Sequence, residues 1–356
     1  MSAPGSGGPS GADVLNAEIA EQPEVLERLR REGTEVAALG RRLAGDRPRL
    51  VRLAGHGTSD NVATYGVYAF ARLAGGTAIR DSISLPVYED VRPDAAGDLA
   101  VGLSQSGETP DVVRWLEAMR EAGALAVAVT NDANSALARA ADVVLRLRAG
   151  EERSVAATKT YTAELAVVAR LAAYAGGRGA QVDEALAATA ESTVAALAEL
   201  PAAVERLASE LSWTARMVLV GRGLEFATAR EVALKLTELC QVGGVAMTAT
   251  DLAHGPVAAL DERFPVWACV AHDNTLTAVR EAAARAREAG APLIAAGPSA
   301  AELEGARALP VPAPAHPVLS PLLTVLPGQL FAVALARAKG LDPGAPRHLR
   351  KVTLAT

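Results

Sequence analysis

The chain states one motif twice. Val51-Arg-Leu-Ala-Gly-His-Gly57, an apolar run closed by a glycine turn, is restated as Met217-Val-Leu-Val-Gly-Arg-Gly223 at an offset of 166 residues, and such self-similarity implies a duplicated domain. In the first copy the patterns predict strands over residues 49–54, 99–103, 125–130 and 143–147 and helices over 61–73, 110–121 and 135–140. In the second, after the restated motif, they predict strands over 265–271 and 292–296 and helices over 275–289 and 330–339. Strands alternating with helices imply an α/β fold with a parallel sheet covered on both faces. With 356 residues, two cores of ordinary size fit; aromatics are only 3%, so those cores are built from Ala, Val and Leu.

The segments around the repeat set the expected boundaries. Residues 1–12 read as a disordered tail, 13–46 as a helical arm broken at Pro23 and Gly33, and 47–178 as the first domain. An Ala-rich helical linker is expected over 179–212, the second domain over 213–340, and a tail reaching into a site over 341–356. Net charge is −6 and no basic block stands out, which argues against nucleic acid as a partner. Cys240 and Cys269, isolated among apolar residues, supply neither a disulfide framework nor metal-ligand spacing, and Met1 to Gly11 lacks the pattern of a secretory signal; a cytoplasmic protein is expected. Residues 308–336 carry no charge but six prolines, and read as a buried loop followed by a helix rather than a membrane span.

Three segments could carry chemistry. Gly102-Leu-Ser104-Gln-Ser106-Gly-Glu-Thr109-Pro110 places hydroxyls, an amide and backbone N–H groups between a strand and a helix capped by Thr109. Such a turn suits a phosphate dianion; an ordinary capped turn has the same composition, and Glu108 and Asp111 favour that blander reading. No Walker loop is present, and Asp60 stands where a dinucleotide fingerprint needs its third glycine. The second copy has Ala271-His-Asp273-Asn-Thr275 at the matching turn, so its anion pocket looks lost, suggesting one ligand per chain. In Arg230-Glu231-Val-Ala-Leu-Lys235-Leu-Thr-Glu238, Lys235 and Glu238 share a helix face, as a positioned base or as a surface ion pair. His254, in His254-Gly-Pro256, is either a catalyst or a turn residue, and Lys351 is by default a solvated charge.

Taken together, seven segments in order resemble the sugar isomerase (SIS) domain pair of glucosamine-6-phosphate synthase and its relatives. They are Glu18-Ile-Ala-Glu-Gln-Pro23, Gly57-Thr-Ser59, Ser104-Gln-Ser-Gly-Glu-Thr109, Val155-Ala-Ala-Thr-Lys159, Ala233-Leu-Lys-Leu-Thr-Glu238, His254-Gly-Pro256 and Pro346-Arg-His-Leu-Arg-Lys351. The resemblance implies two tandem SIS domains, each a parallel five-stranded sheet flanked by helices in a flavodoxin-like three-layer sandwich. It implies that Thr58, Ser59, Ser104, Gln105, Ser106 and Thr109 hold a sugar phosphate, with Val155 at the sugar chain. It also implies Glu238 as the base between C1 and C2 with Lys235 beside it, His254 as the ring-opening group delivered from the partner of a homodimer, and Lys351 as the group that forms an imine or supports C2. No metal or organic cofactor is implied, because the open sugar's carbonyl already acidifies the transferred proton. A full synthase opens on the cysteine nucleophile of a glutaminase domain, whereas this chain opens Met1-Ser2 and has Arg350 before its terminal lysine. The expectation is an isomerase half that does not hydrolyse glutamine, resembling stand-alone deaminases that turn glucosamine 6-phosphate into fructose 6-phosphate and ammonia. The alternatives are a fructosamine-6-phosphate deglycase, another aldose–ketose isomerase, and a non-catalytic sugar-phosphate sensor; no helix-turn-helix segment precedes residue 45 to support the last.

Overall fold

A computed structural model describes residues 10–351, so residues 1–9 of the expected tail and 352–356 of the C-terminal tail lie outside the description. The N-terminal arm is three helices: α1 (Gly11–Ala20), α2 (Gln22–Glu32) and α3 (Thr34–Gly45). Residues 11 and 12, assigned to the tail by composition, open α1, because Ser10 and Asp13 form a reciprocal capping box. The break falls at Glu21 rather than Pro23, which starts α2 from its first turn, where a missing N–H costs nothing.

The first sheet runs β1 (Val51–Ala54), α4 (Thr58–Ala74), β2 (Ala78–Arg80), α5 (Ser84–Tyr88), β3 (Leu99–Leu103), α6 (Pro110–Glu121), β4 (Leu125–Thr130), α7 (Ala136–Ala140) and β5 (Val143–Arg146). Then α8 (Lys159–Ala175) and the long α9 (Gly179–Glu210) lead to the second sheet. It runs β6 (Arg216–Gly221), α10 (Glu225–Cys240), β7 (Gly243–Thr248), α11 (Ala249–Ala253), β8 (Val266–Cys269), α12 (Leu276–Glu288), β9 (Leu293–Gly297) and β10 (Arg307–Pro310), and α13 (Ser320–Ala338) closes the chain.

Both sheets are five-stranded and every pairing is parallel, with orders β2-β1-β3-β4-β5 and β10-β9-β8-β6-β7. Matching β6 to β1 makes the two orders the same, so the repeated motif reflects a repeated topology. The register pairs Val51 with Leu99 and Leu99 with Leu125, and β3 and β4 are apolar and almost wholly buried because helices cover both faces. In each sheet the connections reverse direction beside the first strand, leaving a crevice at the carboxyl ends of β1 and β3 where doubly wound sheets bind ligands.

One element departs from its expectation. The closing helix begins at Ser320, ten residues before the expected start, and carries Pro321 and Pro327. Pro321 sits in the first turn, where its missing N–H has no helical acceptor, and Pro327 sacrifices a single internal bond in a helix held on all sides by packing. This helix is long and apolar enough to cross a membrane, and 94% of its most apolar stretch is buried inside the protein.

Candidate active site

A cavity of about 590 Å³ opens in the crevice of the first sheet. The β1–α4 turn lines it with His56, Gly57, Thr58 and Ser59, and the β3–α6 turn with Ser104, Gln105, Ser106, Thr109 and Asp111. The start of α8 adds Ala157, Thr160 and Glu164, and Lys351 of the tail completes the wall. Three helices therefore begin at one hollow: Thr58 is the first residue of α4, Thr109 is the N-cap of α6, and Thr160 lies in the first turn of α8. The N-terminus of α8 is already capped by the Glu152 carboxylate, so the hollow's favour for an anion comes from the starts of α4 and α6, where N–H groups and the positive ends of two helix dipoles face it.

Local hydrogen bonds shape the Ser104–Thr109 turn. Ser104 Oγ accepts from Gly107 N at 3.2 Å and lies 3.1 Å from Thr109 Oγ1, while Ser106 Oγ accepts from Glu108 N. Gly107 has φ +68°, and a Cβ there would lie 2.1 Å from Ser135 Oγ, so the turn requires glycine. Glu108 reaches away from the cavity to accept from Ala136 N. Asp111 does line the cavity; burial pushes its carboxyl up, but hydrogen bonds from Tyr88 and Arg114 outweigh that and hold it below the usual range.

The loop ahead of α8 is pinned from two directions. Glu18 of α1 accepts from Arg153 N and Ser154 N, Glu21 pairs with Lys159 at 2.5 Å, and Gln22 accepts from Thr162 Oγ1. Glu152, wholly buried, accepts from the backbone of Thr158 and Thr160 and from Thr160 Oγ1. Lys351 Nζ closes over this loop, donating to Ser154 O at 2.6 Å and Glu152 Oε2 at 3.1 Å. The Glu21–Lys159 pair thus joins the first and fourth of the seven sequence segments, and the last docks on the loop just ahead of the fourth.

A chain of contacts leads from the cavity into α10. Thr58 Oγ1 donates to Glu231 Oε1 at 3.1 Å, Asn61 donates to Glu231 Oε2, and Lys235 Nζ lies 3.5 Å from Glu231 and 2.6 Å from Glu238 Oε2. Burial alone would push the Lys235 ammonium down, but Glu231 and Glu238 outweigh it and hold it above its ordinary value. Lys235 is only 2% exposed, so the surface ion pair weighed above does not describe it. A buried ammonium that keeps its proton anchors carboxylates and is not itself a base.

The cavity thus gathers Thr58, Ser59, Ser104, Gln105, Ser106, Thr109 and Lys351 of the sequence candidates. Val155, Lys235, Glu238 and His254 are not among its lining residues; Val155 is half-buried beside it in the chain, and His254 is exposed at the end of α11. Sequence reading missed His56, Thr160 and, above all, Glu164. The available signal for Glu164 was a lone carboxylate inside a long, Ala-rich and otherwise nearly apolar segment.

In the second copy the matching turn is closed on itself. Asp273 Oδ1 accepts from Thr275 N at 2.8 Å and Thr275 Oγ1 at 2.6 Å, so a carboxylate of the chain already takes the donors that Ser104 to Thr109 leave available in the first.

Comparison with known proteins agrees with this fold. The SIS domain model matches residues 48–174 and 210–337. A glutamine–fructose-6-phosphate aminotransferase (isomerizing) of Thermus thermophilus is 34% identical over 362 residues, covering 94% of this chain and 57% of the relative. That of Gloeobacter violaceus is 37% identical over 313 residues, covering 83% and 50%. The chain therefore spans about half the length of the curated relatives it matches. The C-terminal domain of glucosamine-fructose-6-phosphate aminotransferase from Francisella tularensis superposes with a TM-score of 0.83 at 26% identity, over 92% of this chain and 97% of that one. A glucosamine-6-phosphate deaminase from Thermotoga maritima shares the fold with a TM-score of 0.76 at 20% identity, over 96% and 100%. With two domain matches that coincide with two sheets of one topology, this chain belongs to the SIS domain family.

Proposed function

We propose that the chain converts glucosamine 6-phosphate and water into fructose 6-phosphate and ammonia. The observation that carries this reading is the convergence of Thr58, Ser59, Ser104, Gln105, Ser106 and Thr109, the N-termini of α4 and α6, and Lys351 on one cavity. The phosphate is held by Ser59, Ser104, Ser106 and Thr109, with Thr58, Gln105 and Val155 toward the sugar hydroxyls. His254, supplied by a second copy of the chain in a homodimer, opens the ring. Glu238, held by Lys235, removes the proton from C2 of the open amino aldehyde and returns it to C1, which leaves an imine at C2. Water adds to that imine, ammonia leaves, and the ketone of fructose 6-phosphate remains. Lys351 holds the C2 end of the sugar during these steps. The names of the matched relatives, which join an isomerizing activity to amino transfer on fructose 6-phosphate, support the same chemistry.

Replacing Glu238 by Gln removes the base while keeping its size. Turnover is expected to fall by roughly 10²–10⁴, while fructose 6-phosphate still raises the melting temperature of the variant. Retained turnover would remove Glu238 from the mechanism.

A further inference from the structure

Glu164 is a carboxyl group in the floor of an anion site, and no cation meets it there among the described residues. It is 1% exposed, its Oε1 lies 2.9 Å from Ser59 Oγ, and its Oε2 is buried with no hydrogen-bond partner. The groups facing it from neighbouring elements are Ser59 of α4, Glu231 of α10 and Glu152 ahead of α8. Lys235 serves Glu231 and Glu238, and Lys351 serves Glu152. Across the cavity stand His56 and Asp111, paired with each other at 3.6 Å. An ionised carboxylate with an orphaned oxygen in this setting has only the Ser59 hydroxyl to offset its lost hydration.

The state of Glu164 decides what Ser59 can do. A serine hydroxyl has one hydrogen. When Glu164 is ionised, that hydrogen is committed to Oε1, and Ser59 offers a phosphate only lone pairs. When Glu164 is a carboxylic acid, its own O–H donates to Ser59 Oγ, and the serine hydrogen is released toward the ligand.

Resting on the phosphosugar reading of this cavity, we propose that Glu164 is a positioning residue that binds as the neutral acid, orienting the Ser59 hydroxyl toward the phosphate, so that ligand affinity falls when Glu164 loses its proton. Burial pushes this carboxyl up to about 8, with the Ser59 bond opposing and Glu231 and Glu152 reinforcing the rise. The fall therefore belongs to mildly alkaline solution, where a phosphate monoester is already fully dianionic.

The test is the affinity for fructose 6-phosphate, which has no amine to titrate, measured by calorimetry from pH 7 to 9.5. If only the protonated form binds, Kd rises about fivefold between pH 8 and pH 9, and binding at pH 8.5 takes up a fraction of a proton, read from the dependence of the heat on buffer ionisation enthalpy. In Glu164→Gln the amide donates to Ser59 at every pH, so the share of the rise and of the proton uptake that Glu164 supplies vanishes and only contributions of His56, Asp111 and Lys351 remain. Should the variant not fold, Ser59→Ala, which removes the hydroxyl that Glu164 orients, supplies the comparison: it is expected to bind more weakly at pH 7 and to lose the rise in Kd toward pH 9, and a rise equal to the wild type's overturns the proposal. A wild-type Kd that is flat across this range, or a Gln variant that declines in parallel with the wild type, overturns the proposal and leaves the deaminase reading standing. Binding with this pH dependence but no turnover of glucosamine 6-phosphate sustains the role of Glu164 and contradicts the reaction. Failure of both fructose 6-phosphate and inorganic phosphate to bind at any pH overturns both.

Discussion

Single residues in this chain are constrained by what they face more than by their type. Glu164 illustrates it through stability as well as binding. Its folded-state value, raised by burial from 4.5 to about 8, means that the native state holds a proton the unfolded chain releases. The stabilisation from that proton is fully present below pH 4.5 and is lost as pH rises through about 8. Glu164→Gln should thus flatten the decline in melting temperature between pH 5 and 9, and an unchanged profile would show that the carboxyl is not buried as described. At Gly107, the positive φ and a Cβ 2.1 Å from Ser135 Oγ leave no room for a side chain. Gly107→Ala is expected to cost at least about 1–3 kcal/mol in chemical denaturation. Ser104 and Thr109, which line the cavity, were singled out by the seven-segment resemblance, because the turn by itself has the composition of an ordinary capped turn. Glu164 was not, because a mid-helix acid reads as solvated until three other elements are seen to cover it.

At the scale of elements, the central strands and most long helices were the readable part, since periodicity and capping residues mark them, whereas α8, nearly apolar all round, and the short α5 and α11 were not read as helices. Leu99–Leu103, Pro110–Glu121 and Leu125–Thr130 begin and end where the pattern changes. The edge strands β2, β7 and β10 were missed. Their residues are half-exposed, and Gly243-Gly-Val-Ala-Met-Thr248 has no apolar alternation to announce a strand; its pairing with β6 is decided by the neighbour rather than by its own sequence. The long α13 was shortened because two prolines outweighed the packing that tolerates them. The loop ahead of α8 depends on a helix 130 or more residues earlier, through Glu18 and the backbone of Arg153 and Ser154. Glu18→Ala leaves these N–H groups without an acceptor in a buried setting. A loss of about 1–3 kcal/mol is expected, with a larger Michaelis constant for the sugar phosphate because the loop carries Val155 and leads into Thr160 of α8. A variant with wild-type stability would show that the loop holds itself.

The whole molecule carries two copies of one topology; among the described residues the crevice of the first is open and lined by hydroxyls, whereas Asp273 takes the donors of the matching turn in the second. The expected stoichiometry is one fructose 6-phosphate per chain, checked by calorimetry. The duplication was visible in the sequence, whereas the grouping of residues separated by up to 295 positions, from His56 to Lys351, into one cavity required the structure. The proposed homodimer has its own signature. His254→Ala and Glu238→Gln homodimers should each be inactive, and mixing them under exchange should restore about a quarter of wild-type turnover, because half of the dimers then contain one intact site. No recovery would place His254 and Glu238 in the same chain's site. The central claim is tested most directly by incubating the purified protein with glucosamine 6-phosphate, without glutamine, and quantifying ammonia and fructose 6-phosphate together. Equal release of the two is the predicted result; a melting temperature raised by the sugar phosphate with neither product formed would contradict the account.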